Sequence, residues 1–183
     1  MNRREALTLT ATILGGTLVG AQAFLSGCKH AKEKTTEAIA FTEQDVALLD
    51  EVGETILPAS AESPGAKAAK IGEFMKLIVT DCYSPEEAQT FYAGIGQLEQ
   101  KAKQQFSKGF MALSADQRLQ LLTKLDKEAK QSKPDKHYFG MMKELTLWGY
   151  FSSEPGATVA LRYNPTPGKY EGCIPYNNEP AWA

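Results

Sequence analysis

Between Phe41 and Phe151 the apolar residues recur every third or fourth position, and that period decides what this stretch can fold into. Ile71, Phe74, Met75, Ile78, Val79 and Cys82 fall at i, i+3, i+4, i+7, i+8 and i+11, one continuous helical stripe. A strand would alternate at every second residue, so a sheet is excluded here. Val46, Leu49, Val52 and Ile56 repeat the period, as do Phe91, Ile95, Leu98, Ala102 and Phe106. Leu119, Leu122, Leu125 and Ala129 follow, and then Tyr138, Met142, Leu145 and Trp148. The punctuation agrees with that division. Thr42 is an N-cap, Pro58 a stop, and Pro64-Gly65 a turn. Ser84-Pro85-Glu86-Glu87 is a capping box with proline in the first turn. Ser114-Ala115-Asp116-Gln117 opens a further helix, and Lys133-Pro134-Asp135 breaks the chain before the last one. The expectation is an all-α fold, a small bundle of about five helices over residues 42–151. At 43% hydrophobic residues, 183 residues suffice for one core of ordinary size.

Residues 152–183 are of a different kind. Pro155, Pro165, Pro167, Pro175 and Pro180, with Gly156, Gly168 and Gly172, forbid a long helix or a central strand. Tyr163, Tyr170, Tyr176 and Trp182 are interleaved among them, which separates this segment from an ordinary polar disordered tail. It reads as an irregular, extended Pro/Gly/Tyr-rich tail that lies either on its own bundle or on a partner.

The first residues belong to targeting, not to the fold. Arg3 and Arg4 precede Leu7–Ser26, 20 residues without a charge, and Leu25-Ser26-Gly27-Cys28 is similar to the lipobox of bacterial lipoproteins. Small residues at 26 and 27 admit the signal peptidase, and the Cys28 thiol takes the lipid. The arginine pair is similar to a twin-arginine signal, with Ala6 where that pattern prefers phenylalanine. Residues 1–27 are therefore expected to be a twin-arginine-type lipoprotein signal peptide, and 28–41 a polar lipidated tether. The chain would be exported, on the periplasmic side, and lipid-anchored to a membrane. The competing reading of the same stretch is an uncleaved signal anchor.

The chemistry-bearing residues are sparse. No G-x-G-x-x-G, G-x-x-x-x-G-K-[ST] or C-x-x-C-H occurs, so no dinucleotide fingerprint, phosphate loop or c-type haem attachment is indicated. The two histidines, His30 and His137, stand far apart, which leaves no zinc ligand set and one candidate general base in the helical domain. His137 reads as a solvated or capping residue at a helix start. Asp50 with Glu51, Glu86 with Glu87, and Asp126 with Glu128 are too close in sequence to face one another on a helix, and read as solvated surface charge. Lys101, Lys103, Lys108, Lys124, Lys127, Lys130, Lys133 and Lys136 make a mildly basic stretch broken by acids. A net charge of −2 argues against nucleic acid, and a solvated face or anionic lipid heads account for the lysines. No catalytic, cofactor-binding or metal-binding residue is assigned.

Once Cys28 carries lipid, Cys82 and Cys173 remain in an oxidising compartment. Three states are open: a bridge between them that staples the tail to the second helix, a bridge from Cys173 to a partner, or free thiols with Cys82 buried on its apolar face.

From about Thr42 to Tyr176 the chain resembles the gluconate 2-dehydrogenase subunit 3 family. The resemblance lies in Glu54-Thr55-Ile56-Leu57-Pro58-Ala59, Pro64-Gly65-Ala66, and Phe110-Met111-Ala112-Leu113-Ser114 with Gln117 and Leu121-Leu122. It continues in Lys143-Glu144-Leu145-Thr146, Gly149-Tyr150-Phe151-Ser152-Ser153-Glu154-Pro155-Gly156 and Tyr170-Glu171-Gly172-Cys173. The resemblance implies a non-catalytic small subunit with no cofactor of its own. Its partner would be a large FAD-dependent flavoprotein of the glucose–methanol–choline (GMC) type acting on a sugar or glycoside. In such complexes a cytochrome c subunit carrying haem c often takes the electrons onward. The small subunit would support folding and twin-arginine export of the flavoprotein, and the lipobox adds membrane anchoring. By the same analogy Tyr150, Phe151, Ser153, Glu154 and Gly156 are the candidate partner contacts. The alternative is a free-standing lipid-anchored scaffold or binding protein unrelated to oxidoreductases.

Overall fold

The computed structural model describes residues 2, 4, 40–132, 137–166, 168–169 and 171–182. The chain divides into two units, Met1–Ala38 and Ile39–Ala183. In the first, only Asn2 and Arg4 are described, so Arg3, the uncharged stretch, Cys28 and nearly all of 28–41 lie outside the described residues.

The second unit holds five α-helices: α1 (Glu43–Ile56), α2 (Ile71–Asp81), α3 (Pro85–Phe106), α4 (Ala115–Gln131) and α5 (Tyr138–Ser152). Short 3-10 turns at Ala66–Ala69 and Phe110–Ala112 lead into α2 and α4, and a π turn, Gly156–Ala160, follows α5. Among the described residues no strand forms, and a single isolated bridge joins Arg162 to Trp182. The fold is the small all-α bundle that the 3.6-residue period requires.

The helix starts follow from local chemistry. The first amides of a helix have no partner within it, and a cap must supply one. At α1 the Thr42 hydroxyl accepts from Asp45 N–H at 3.2 Å while the Asp45 carboxylate accepts from Thr42 N–H at 2.8 Å. Ser84 with Glu87 and Ser114 with Gln117 close the same reciprocal box at α3 and α4. The start of α2 has no cap from its own sequence, because Lys70 sits in the left-handed region at φ 51°. Asp50 of α1 replaces it, its carboxylate accepting from Gly72 N–H at 2.7 Å.

The sequence of α5 is not amphipathic in the usual sense, and its position explains why. It packs against each of the other four helices, so Tyr138, Phe139, Met141, Met142, Leu145, Thr146, Gly149 and Tyr150 are buried around most of its circumference. A helix apolar on most sides belongs at the centre of a bundle. Phe91, Phe110, Leu49, Ile71, Met75 and Leu98 fill the space around it and are fully buried. Each contributes roughly 1.5–3 kcal/mol of apolar burial. Thr146, fully buried at the centre, donates its hydroxyl proton to the Met142 carbonyl at 2.8 Å.

Three apolar positions depart from the expected stripes. Leu119 is 55% exposed, because the buried face of α4 is set by Leu121, Leu122, Leu125 and Ala129. Two residues turn a helix by about 200°, so Leu119 faces away from Leu121. Trp148 is 54% exposed for a related reason: α5 already fills its inward arc without it. Cys82 is the C-cap of α2 and is exposed, so the reading of it as a buried thiol is corrected. The helix ends one residue before it, and the turn, not the stripe, sets its direction.

Of the paired carboxylates, Glu86 is exposed as a solvated charge, whereas Asp50, Glu51, Glu87, Asp126 and Glu128 are corrected to structural ones. Glu51 pairs with Arg118 of α4 and with Lys67 of the first 3-10 turn. Arg118 donates further to the carbonyls of Phe110 and Met111, which ties the second turn to the same point. Asp126 holds Lys143 of α5 at 2.6 Å and Lys130 at 2.7 Å, and Glu128 holds Lys101 of α3. Hydrogen bonds from those ammonium groups keep both carboxyls below the usual carboxylate range.

Candidate partner-binding surface

The end of α5 and the turn after it hold the five residues singled out by resemblance, and the structure separates them by role. The Tyr150 ring is buried, and its hydroxyl donates to the Pro64 carbonyl and lies 2.6 Å from the Ser63 hydroxyl. Tyr150 thereby ties α5 to the 57–66 loop and is not free to touch a partner. The Ser153 hydroxyl donates to the Tyr150 carbonyl at 2.6 Å and accepts from Gly156 N–H at 3.3 Å, closing the turn. Gly156 is buried, and a Cβ there would stand 1.8 Å from the Tyr150 carbonyl oxygen, so only glycine fits. Phe151 and Glu154 are exposed, and they alone of the five present their side chains outward.

The loop that receives Tyr150 is itself latched by one carboxylate. Glu54 of α1 accepts from Ala59 N–H and from Lys67 N–H, both at 2.9 Å. A Cβ on Gly65 would lie 2.2 Å from that carboxylate. The Glu54 and Pro64-Gly65-Ala66 segments, which carry the resemblance at the sequence level, therefore meet as one structural unit.

Outside the core runs a ridge that the sequence reading did not single out. Leu147, Trp148 and Phe151 lie on one face of α5 at i, i+1 and i+4, and all three are exposed. The Trp148 ring meets Phe74 of α2 edge-on, with centroids 5.3 Å apart and planes at 80°. Leu77, one turn along α2 from Phe74, is 57% exposed. A second apolar face on α5, offset from the buried arc, was the available signal. Trp148 shares the helical period of Tyr138, Met142 and Leu145 and so reads as core from sequence. Large apolar side chains grouped in this way are what contact surfaces consist of.

The tail adds a second apolar element. Tyr163, Ile174, Tyr176 and Trp182 are exposed, and no described residue after Ala160 joins the packed core. The tail closes on itself. Arg162 N–H donates to the Ala181 carbonyl at 2.8 Å, the Arg162 guanidinium stacks 3.8 Å from the Trp182 ring centroid, and it pairs with Glu179. Cys173 lies within this closed segment. It and Cys82 are exposed and free in this structure, not joined to each other.

Around these surfaces the chemistry is structural. His137 Nδ1 accepts from Phe139 N–H at 3.2 Å and so caps α5, and its ring stacks on Tyr138 at 4.7 Å. Burial holds its pKa below the usual histidine value. The Tyr138 hydroxyl is buried without a hydrogen-bond partner among the described residues, and burial pushes its pKa up to about 12. Among the described residues, no group of three or more His, Cys, Asp or Glu could hold a metal ion, and no helix is long and apolar enough to cross a membrane.

A small α-helical bundle that presents an apolar ridge and a closed, aromatic tail defines a class: a chain equipped for association. Residues 43–168 match the family described as Gluconate 2-dehydrogenase subunit 3, and the chain belongs to that family. The matched span runs from the first residue of α1 to the early part of the tail. Membership implies association with the other subunits of a dehydrogenase complex. No curated protein matches the chain, and no solved structure does.

Proposed function

We propose that this chain is the non-catalytic small subunit of an exported FAD-dependent, GMC-type sugar or glycoside dehydrogenase. In this reading it supports the folding and twin-arginine export of the flavoprotein large subunit and anchors it to the membrane through a lipid on Cys28. The flavoprotein holds FAD, and a cytochrome c subunit with haem c takes the electrons onward. The observation that carries the reading is the exposed ridge of Leu77, Leu147, Trp148 and Phe151, seated on the half-buried Phe74, on a chain of this family. Leaving that much apolar side chain in water is unfavourable, and a partner removes the cost.

The test is co-purification of the tagged full chain from its native membrane in mild detergent. The expected result is a stoichiometric large subunit with oxidised-flavin absorbance. Trp148→Ser with Phe151→Ser is expected to weaken retention of that subunit about tenfold or more, since buried aromatics dominate such interfaces. Recovery of the chain alone and colourless would overturn the reading.

A further inference from the structure

The charges of this chain are segregated. Residues 43–99 hold eleven carboxylates and three lysines, net −8, whereas residues 101–130 hold six lysines, one arginine and three carboxylates, net +4. The fold gathers the second group. The Lys101–Glu128 pair holds the C-terminal half of α3 alongside α4, and Lys124 and Lys127 of α4, one turn apart, share the face beside that seam. Lys124 and Lys127 are exposed there and form no salt bridge with a described carboxylate. An open groove along α4 is lined by Asp116, Leu119, Gln120, Thr123, Lys124 and Lys127, with Gln105 of α3 opposite. Leu119, the misfit of α4, projects from this basic face.

We propose that the α3–α4 lysine face docks on the anionic phospholipid headgroups of a membrane. The ammonium groups meet phosphates, and Leu119 enters between the heads. The occupant follows from the chain that precedes the bundle. A lipid on Cys28 leaves 12 residues up to Ala40, an extended reach of at most about 43 Å. The bundle never leaves the neighbourhood of the bilayer. A molecule with so uneven a charge, held that close, turns its basic side toward an anionic surface. This step rests on the lipid anchor proposed above.

The experiment uses the full chain with Cys28→Ser, mixed with vesicles of phosphatidylcholine alone or with phosphatidylglycerol added. The N-terminal segment is present throughout and forms a constant baseline. Partitioning is expected to be about tenfold stronger on the phosphatidylglycerol vesicles, and the difference should vanish near 0.5 M salt, where exposed charges are screened over roughly 4–5 Å. The decisive variant is Lys124→Gln, Lys127→Gln, Glu62→Gln, Glu73→Gln, which leaves the net charge unaltered. It is expected to lose most of the preference. A preference that survives in this variant places the effect on other basic residues of the chain and overturns the proposal, as does equal binding to both vesicle types. Binding to an acidic protein without lipid preference also overturns it. No flavoprotein is present, so failure here leaves the subunit reading untouched, and the mass of Cys28 in the native protein tests the anchor separately.

Discussion

His137 caps α5 through an unprotonated ring nitrogen, and that makes the stability of the bundle pH-dependent in a known direction. Burial disfavours the charged ring and Lys101 adds to the effect, while Glu128 opposes it. The folded-state pKa therefore lies below the unfolded one. As pH falls below about 6.5 the unfolded chain takes up the proton more readily, and stability is lost down to the folded pKa. Above the unfolded value the contribution is fully present. His137→Asn keeps an acceptor at the cap without the titration, so its urea midpoint is expected to vary less between pH 7.5 and 5.5 than that of the parent. His137→Ala is expected to cost about 1 kcal/mol at pH 7.5, the usual loss for an emptied N-cap. A parent midpoint that does not move with pH in this range would contradict the assignment.

The helices show where sequence patterning suffices and where it does not. Thr42, Ser84 and Ser114 mark their helix starts because capping is a matter of three neighbouring residues, and pattern captures it. Asp50 at the start of α2 could not be read so, because its partner amide lies 22 residues away. The same distance effect hid the work of Glu51, Asp126 and Glu128, which look like surface charge until α4 is placed. Trp148 is legible only in part. Its apolar character was plain, but which side of α5 faces inward depends on four neighbouring helices. The fold class was accordingly legible, whereas the ridge was not. At the level of one element, α3 ends in strain that can be removed. Ser107 sits in the left-handed region at φ 56°, a conformation costing a non-glycine residue roughly 1 kcal/mol. Ser107→Gly is expected to raise stability by up to about 1 kcal/mol in chemical denaturation, with the far-UV spectrum unchanged. A loss of stability would show that the Ser107 side chain holds more than the backbone suggests.

Across the whole bundle, the Glu51 carboxylate joins parts that the sequence keeps far apart. It takes Lys67 from the turn before α2 and Arg118 from α4, and it is only 13% exposed. Removing it leaves Arg118, 16% exposed, with its carbonyl partners but without a counter-charge. Glu51→Ala is expected to destabilise by about 2 kcal/mol, read as a lower urea midpoint at constant slope. A fall below a few tenths would mean that water replaces the carboxylate freely.

The clasp between Arg162 and residues 179–182 bears on how the protein is handled as well as on how it docks. A segment fastened at both ends has already lost much of the freedom of a dangling arm, so seating it on another surface sacrifices less entropy. The same fastening makes its far end a poor attachment point. A purification tag or reporter joined after Trp182 pulls directly on the ring that Arg162 covers, and trimming the chain before Glu179 undoes the closure. Fusions placed elsewhere leave the loop as the fold shaped it.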